Sequence, residues 1–254
     1  EWQARGGVML PMYQSEALWV RFLTNSVRTN GNSPYPFAVK VSAGKMSAVT
    51  GKPWEKKLRK DDYLVVPPQP WLDGFVVEEG KIRQFVAMPL GLGATVEEQL
   101  TGEAEWGGIQ IEVFPMKREV FERRFPPPPP KPRADSRFLR SRSSFSGGRI
   151  YPESQTFGSM NYSCDNITLC NDSYQADMGL GAGGTMTQQI FKDPYDKDDW
   201  QKKLDGRRCY VHLANSLAWE AITKEKPPTV PPTAKDYKRM GLPWFDLYED
   251  RPAL

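Results

Sequence analysis

Between residues 35 and 115 apolar and polar positions alternate with the period of two that marks half-buried strands. Phe37-Ala-Val-Lys-Val41 and Met46-Ser-Ala-Val-Thr50 flank Ser42-Ala43-Gly44-Lys45, a short Gly-bearing connection that predicts a hairpin. Tyr63-Leu-Val-Val66 runs into a Pro-rich turn, because three prolines in Pro67-Pro-Gln-Pro-Trp-Leu-Asp-Gly74 cannot sit in a central strand. Gly74-Phe-Val-Val77 and Lys81-Ile-Arg-Gln-Phe-Val-Ala-Met88 flank Glu78-Glu79-Gly80, a second hairpin. In Gly107-Gly-Ile-Gln-Ile-Glu-Val-Phe-Pro115, Ile109, Ile111 and Val113 share one face and Gln110, Glu112 and Phe114 the other.

Helical patterns are short. Thr95-Val-Glu-Glu98 fits a capping box, in which hydroxyl and carboxylate satisfy the first N–H groups of a helix. Thr233-Ala-Lys-Asp236 is a weaker start, with Gly241 placed to end it. Residues 13–23 and 116–125 are further helix predictions. A weak internal echo relates Gly80-Lys-Ile-Arg-Gln84 to Gly184-Thr-Met-Thr-Gln188. It predicts two similar strands, one on each side of the middle of the chain, within a single sheet system. Gln84 and Gln188 would then lie on apolar strand faces, where an amide must either tie down backbone or line a polar cleft.

The middle is different in kind. Phe125-Pro-Pro-Pro-Pro-Pro-Lys-Pro-Arg133 reads as a polyproline II spacer, and residues 136–149 are rich in Ser, Arg and Gly. The stretch NYSCDNITLCNDSY (161–174) holds three Asn-x-Ser/Thr sequons, at Asn161, Asn166 and Asn171, with Cys164 and Cys170 spaced to close a small loop. Residues 126–178 therefore read as a long surface insertion within one β-rich domain, whose first part is 1–125 and whose remainder is 179–254. The expected fold class is α+β and β-dominated: an antiparallel β-sandwich or open barrel with a few short helices.

Bulk numbers add limits. With 254 residues the chain can bury a real core, and 23 Pro with 21 Gly favour turns over long helices. Thirty-four basic against 31 acidic residues leave +3, too balanced for a nucleic-acid footprint, so no nucleic-acid partner is expected. No window approaches eighteen consecutive apolar residues, so no membrane span is expected. The chain opens at Glu1, as a processed or partial chain would. Sequons and the cysteine pair point to a secreted or cell-surface glycoprotein; the odd Cys209 leaves a cytoplasmic location as the alternative.

Candidate chemistry is sparse. His212 is the single histidine, and on a strand Cys209 and His212 point to opposite faces, so neither a metal site nor a cofactor is expected. No Gly-x-Ser-x-Gly elbow is present, and neither Gly-rich run (91–93, 179–184) carries the Lys-Ser/Thr of a phosphate loop. The enzyme option rests on carboxylates: Glu98, Glu103 and Glu105, with Glu97, around one acidic turn (97–105), and Asp73 in the Pro-Trp-Leu-Asp-Gly turn. Two carboxylates beside tryptophans are what glycoside hydrolysis needs. Eight Trp, several borne on polar turns, suggest binding instead: an indole beside Asp or Gln stacks on a sugar face. The expected ligand-binding residues are Trp71, Asp73, Gln84, Trp106 and Gln188. Arg137, Arg140, Arg142 and Arg149 in the insertion are a minor phosphate-contact option.

Several long segments, among them YPFAVKVSAGKMSAVTGKPW, DDYLVVPPQPWLDGF, GKIRQFVAMPLG, TVEEQLTGEAEWGGIQIEVFPMK and CYVHLANSLAW, resemble in the same order a family of uncharacterised bacterial and fungal proteins. Some of its members are labelled integral membrane proteins. The likeness covers roughly 8–118 and 178–250 and implies no established activity, ligand or catalytic residue. Trp106 stands where that family has a histidine, and about 134–176 has the character of an added insertion.

The reading that follows is a non-enzymatic ligand-binding or interaction protein, carbohydrate being the natural ligand class and a protein ligand the other. The alternatives are a glycosidase-like hydrolase using the turn at 97–105, and a structural or assembly subunit.

Overall fold

The structure, a computed structural model, describes residues 2–23, 28–29, 33–126, 177–201, 208–231 and 234–240. Of the expected insertion, residues 127–176 lie outside the described residues, and with them the three sequons, Cys164 and Cys170. The described elements belong to one unit, made of Glu1–Pro127 and Tyr174–Leu254.

One helical turn, α1 (Trp2–Arg5), leads into β1 (Val8–Pro11). Where the sequence predicts a helix over 13–23, the chain instead forms the short strands β2 (Ala17–Leu18) and β3 (Val20–Arg21). The reason is partner choice. Ser15 donates to the Ala87 carbonyl, Ala87 to that of Glu16, and Phe22 to that of Pro70, so these amides are satisfied across the fold and not four residues back. A small ribbon of β4 (Arg28–Thr29) and β5 (Ser33–Pro34) follows. The first predicted hairpin is β6 (Phe37–Ala43) with β7 (Met46–Ser47). Its two-residue turn, Gly44-Lys45, has positive φ at both positions (54° and 61°), the signature of the tight hairpin turn. After β8 (Leu64–Val66) and β9 (Trp71–Leu72) comes the second hairpin, β10 (Gly74–Glu78) with β11 (Lys81–Pro89).

Helix α2 (Val96–Thr101) carries the predicted capping box, with both reciprocal bonds between Thr95 and Glu98 present. Strand β12 (Ile109–Pro115) precedes α3 (Arg118–Arg124), and β13 (Asp177–Thr187), β14 (Arg208–Ala214), α4 (Ser216–Thr223) and α5 (Ala234–Met240) complete the described chain. Helix α4 was not foreseen, although Asn215 caps it by accepting from the Ala218 amide.

The main sheet runs β10-β11-β13-β14-β12-β6-β7, with β1 beside β14, β2 beside β11 and β8 beside β6. All these pairs are antiparallel except β1 with β14. The fold is therefore β-dominated α+β with a few short helices. The sheet curls without closing into a barrel, although Val76 donates to the Ala48 carbonyl between its two ends. The two echoing segments lie side by side as β11 and β13. Gln84 faces a register shift there, because Arg83 pairs with Thr185 and Phe85 with Ala182, leaving Gly183 and Gly184 opposite one residue. The core on β11 is carried by Phe85 and Ala87, which alternation sets on the face opposite Gln84.

Two clusters of buried side chains cover the two faces of the β6–β12 region. On the concave side Val39, Val41, Leu64, Phe75, Phe85, Leu180 and Leu213 pack together, and Phe75 meets Phe85 edge-on. On the outer side Ala38, Val65, Phe114, Met116, Phe121 and Trp200 form a second cluster beneath α3. Each large side chain fully buried in this way contributes about 1.5–3 kcal/mol.

Candidate functional site

The expected ligand-binding residues fall into two separate neighbourhoods. Trp71 and Asp73 sit on β9 and the turn after it, where the Trp71 indole N–H donates to Asp73 Oδ2 at 2.8 Å. Trp71 as a residue is 43% exposed, so its indole orientation is held while the side chain meets solvent. Gln188 is buried and its amide is spent on this turn: Oε1 accepts from the Asp73 N–H and Nε2 donates to the Trp71 carbonyl. Gln69, not singled out in the sequence, does the same from the other side. Its Nε2 donates to the Trp71 and Gln189 carbonyls, and its Oε1 accepts from Phe191. Two glutamines thus brace the 69–73 turn against the segment after β13. Gln84 is half-buried on β11.

Trp106 and the acidic turn lie elsewhere. Glu97 is buried, and its carboxylate accepts three backbone N–H groups, from Glu105 (3.0 Å), Trp106 (2.8 Å) and Gly107 (2.7 Å). Gly44 packs against it so closely that a Cβ there would lie 2.3 Å from the Glu97 carboxylate. Glu98 accepts from the amides of Gly93 and Thr95 and from the Thr95 hydroxyl. Burial works to raise its pKa, but these hydrogen bonds outweigh burial and hold the carboxyl below its usual range. Glu103 and Glu105 are exposed. Two cations pack on the Trp106 ring, the Lys45 ammonium 3.6 Å and the Arg5 guanidinium 4.4 Å from its centroid. His212 is buried, stacked against Trp2, with Nε2 2.8 Å from the Gly6 carbonyl. That contact pins the N-terminal turn over β14. Gly7 fits there because a Cβ would lie 2.1 Å from the Tyr210 carbonyl oxygen.

The cavity is a third feature, beside Trp71. It measures about 270 Å³ and opens at one end of the curled sheet. Its walls are Phe37 and Val39 of β6, Val66 of β8, Val113 of β12, and Phe22 and Leu23 after β3. Tyr35 and Arg21 supply its polar groups. The Tyr35 hydroxyl donates to the Met116 carbonyl at 2.6 Å, and its ring stacks 4.4 Å from Phe121. Burial raises that phenol, with Arg118 opposing and Glu122 adding. Arg21 pairs directly across from Trp71 in the β3–β9 ladder, so both side chains leave the ribbon on one face. Among the described residues the Arg21 guanidinium has no hydrogen-bond or ion-pair partner. The chemistry on offer is an apolar bowl, one cation and one braced indole. These are groups able to hold a ligand with an apolar body and an anionic end.

Sequence reasoning singles out Trp71 and Asp73 but not Arg21, because it expects a helix over residues 13–23. The signal was weak: in Ala17-Leu18-Trp19-Val20-Arg21-Phe22 the aromatic and β-branched residues Trp19, Val20 and Phe22 only equal the helix formers Ala17, Leu18 and Arg21 in number. Among the described residues, no group of three or more His, Cys, Asp or Glu side chains could hold a metal ion, and no helix is long and apolar enough to cross a membrane. Compared with known proteins, the chain matches no family model, no curated protein and no solved structure.

Proposed function

We propose that this is a non-enzymatic binding protein for a small amphipathic ligand. The apolar body of the ligand enters the cavity among Phe22, Phe37, Val39, Val66 and Val113, and an acidic head meets Arg21 beside Trp71. The observation that carries this reading is the coincidence of an apolar cavity of about 270 Å³ with a rim cation that is unpaired among the described residues. Methylenes contribute about 0.8 kcal/mol each on burial, so a six- to eight-carbon chain supplies roughly 5 kcal/mol before the cost of association.

The exposed Trp71 ring, held by Asp73, supports a second reading in which a sugar stacks on the indole without using the cavity. Calorimetric titration with octanoate, octyl glucoside and free glucose separates the two. Octanoate is expected to bind, with Arg21→Gln weakening it about tenfold, as loss of a charge-assisted hydrogen bond does. Val113→Phe, which fills the cavity, is expected to abolish binding. Glucose binding that is lost in Trp71→Ala and unaffected by Val113→Phe would favour the sugar reading. The amphipathic-ligand proposal fails if millimolar octanoate gives no saturable heat.

A further inference from the structure

The outer face of β12 and β14 holds a cluster of cations and aromatic rings that the cavity does not use. Lys45 is its centre. It sits in the left-handed region (φ 61°), and its amide donates to Gln110 Oε1 at 2.8 Å. Gln110 is itself fixed, accepting from the Ser42 hydroxyl and donating to the Gly107 carbonyl. These bonds hold the Lys45 backbone, and its ammonium lies 3.6 Å from the Trp106 centroid and 6.0 Å from that of Tyr210. Arg208 lies two residues before Tyr210 on β14, hence on the same strand face. Its guanidinium carbon is 5.1 Å over the Trp54 ring. Arg208 Nε, Trp54 Nε1 and Glu112 Oε2 are buried and have no hydrogen-bond partner among the described residues.

Charge in this cluster leans positive. Glu112 forms an ion pair with Arg208 at 3.6 Å and leaves Lys45 uncompensated. Glu97 is occupied by its three backbone N–H groups, and Asp62 is taken by Lys40. Glu105 is exposed and offers Arg5 its backbone carbonyl. Lys45 has no acidic partner among the described residues, and both it and Tyr210 are half-buried, open to solvent on one side. Burial works to raise the Tyr210 phenol, yet the neighbouring Arg208 and Lys45 cations bring it below its ordinary value. The other titratable group facing it is His212, stacked on its ring with centroids 6.0 Å apart.

We propose that Lys45, Arg208 and the Tyr210 hydroxyl form an anion site for a phosphoryl group. An ammonium from the β6–β7 turn meets a planar guanidinium and a hydroxyl from one face of β14, which suits the several oxygens of a tetrahedral anion. The site stands apart from the cavity and does not rest on it. Protonated Tyr210 donates to the anion, whereas the phenolate would compete with it for both cations.

The test uses the full chain at constant ionic strength, following tryptophan emission during titration with inorganic phosphate, glycerol phosphate, sulfate and chloride. Saturable phosphate binding is expected, weakened about tenfold or more in Lys45→Gln and severalfold in Tyr210→Phe, both checked for folding by circular dichroism. Sulfate does not titrate near neutrality, so its binding should fall with rising pH as Tyr210 ionises, and Tyr210→Phe should flatten that fall. Tighter binding of glycerol phosphate assigns the site to a phosphate ester, and equal binding assigns it to free phosphate. An equal response to chloride, or an unchanged affinity in folded Lys45→Gln, overturns the proposal.

Discussion

The two faces of β6 share a strand, a burial level and a neighbour, yet they are built on opposite principles. Val39, Val41 and Ala43 turn inward to an apolar core. Lys40 and Ser42, between them, are as deeply buried, at 1% and 0% exposure, but within a polar network. The Lys40 ammonium meets Asp62 Oδ2 at 2.6 Å and donates to the Glu55 carbonyl, while Asp62 also accepts from the Ser47 hydroxyl. Ser42 donates to Gln110. The apolar face gains by leaving water and tolerates imperfect direction. The polar face gains only if every group finds its partner, so its stability is concentrated in a few contacts.

The sharpest way to break this contrast is to remove one partner of the buried ion pair. Asp62→Ala is expected to destabilise by about 3–5 kcal/mol in urea denaturation, because it strands the Lys40 charge. Leu64→Ala on the opposite face should cost about 2–5 kcal/mol through a cavity. The double change Lys40→Met with Asp62→Leu should recover most of the loss, whereas no second polar deletion should rescue Leu64→Ala. A double variant as unstable as Asp62→Ala would show that the polar face is held by something other than the pair.

Next in size is Glu97→Gln. Two acceptor oxygens serving three amides become one oxygen and a donor, so a loss of about 1.5–3 kcal/mol is expected, with exchange protection lost at the amides of residues 105–107. Retained protection there would mean that the 103–107 turn is held by its own backbone.

The smallest effect concerns Glu98, more exposed than Glu97 and bonded to Gly93 and Thr95. Its carboxyl is held below the usual range in the folded chain. Its stabilising contribution is therefore fully present above the ordinary carboxylate pKa of about 4.5 and is lost as pH falls through the lowered folded value. Glu98→Gln should cost about 1 kcal/mol at neutral pH and almost nothing below the folded pKa, measured as melting temperature against pH.

Much of the strand framework was legible in the chain because hairpin turns, alternation and capping boxes are local. Gly44-Lys45 and Glu79-Gly80 mark their turns, and Thr95 with Glu98 starts α2 as read. The helix expected over 13–23 failed because its amides pair with residues about 50 to 70 positions away, a choice no local preference encodes. Gln188 illustrates the same limit in a side chain. Its sequence context said that an amide faced a dry surface, but not that the Trp71–Asp73 backbone would be the partner.

By itself, then, the sequence determined a β-dominated chain with short helices and marked Trp71 and Asp73 as turn residues of interest. Only the tertiary structure decided that Arg21 stands beside Trp71 at the mouth of a cavity, and that Lys45, Arg208 and Tyr210 meet on the far side of the sheet. Strand period tells which face a side chain takes. Which distant strand arrives on that face, with what charge, is settled by register and packing across the whole fold.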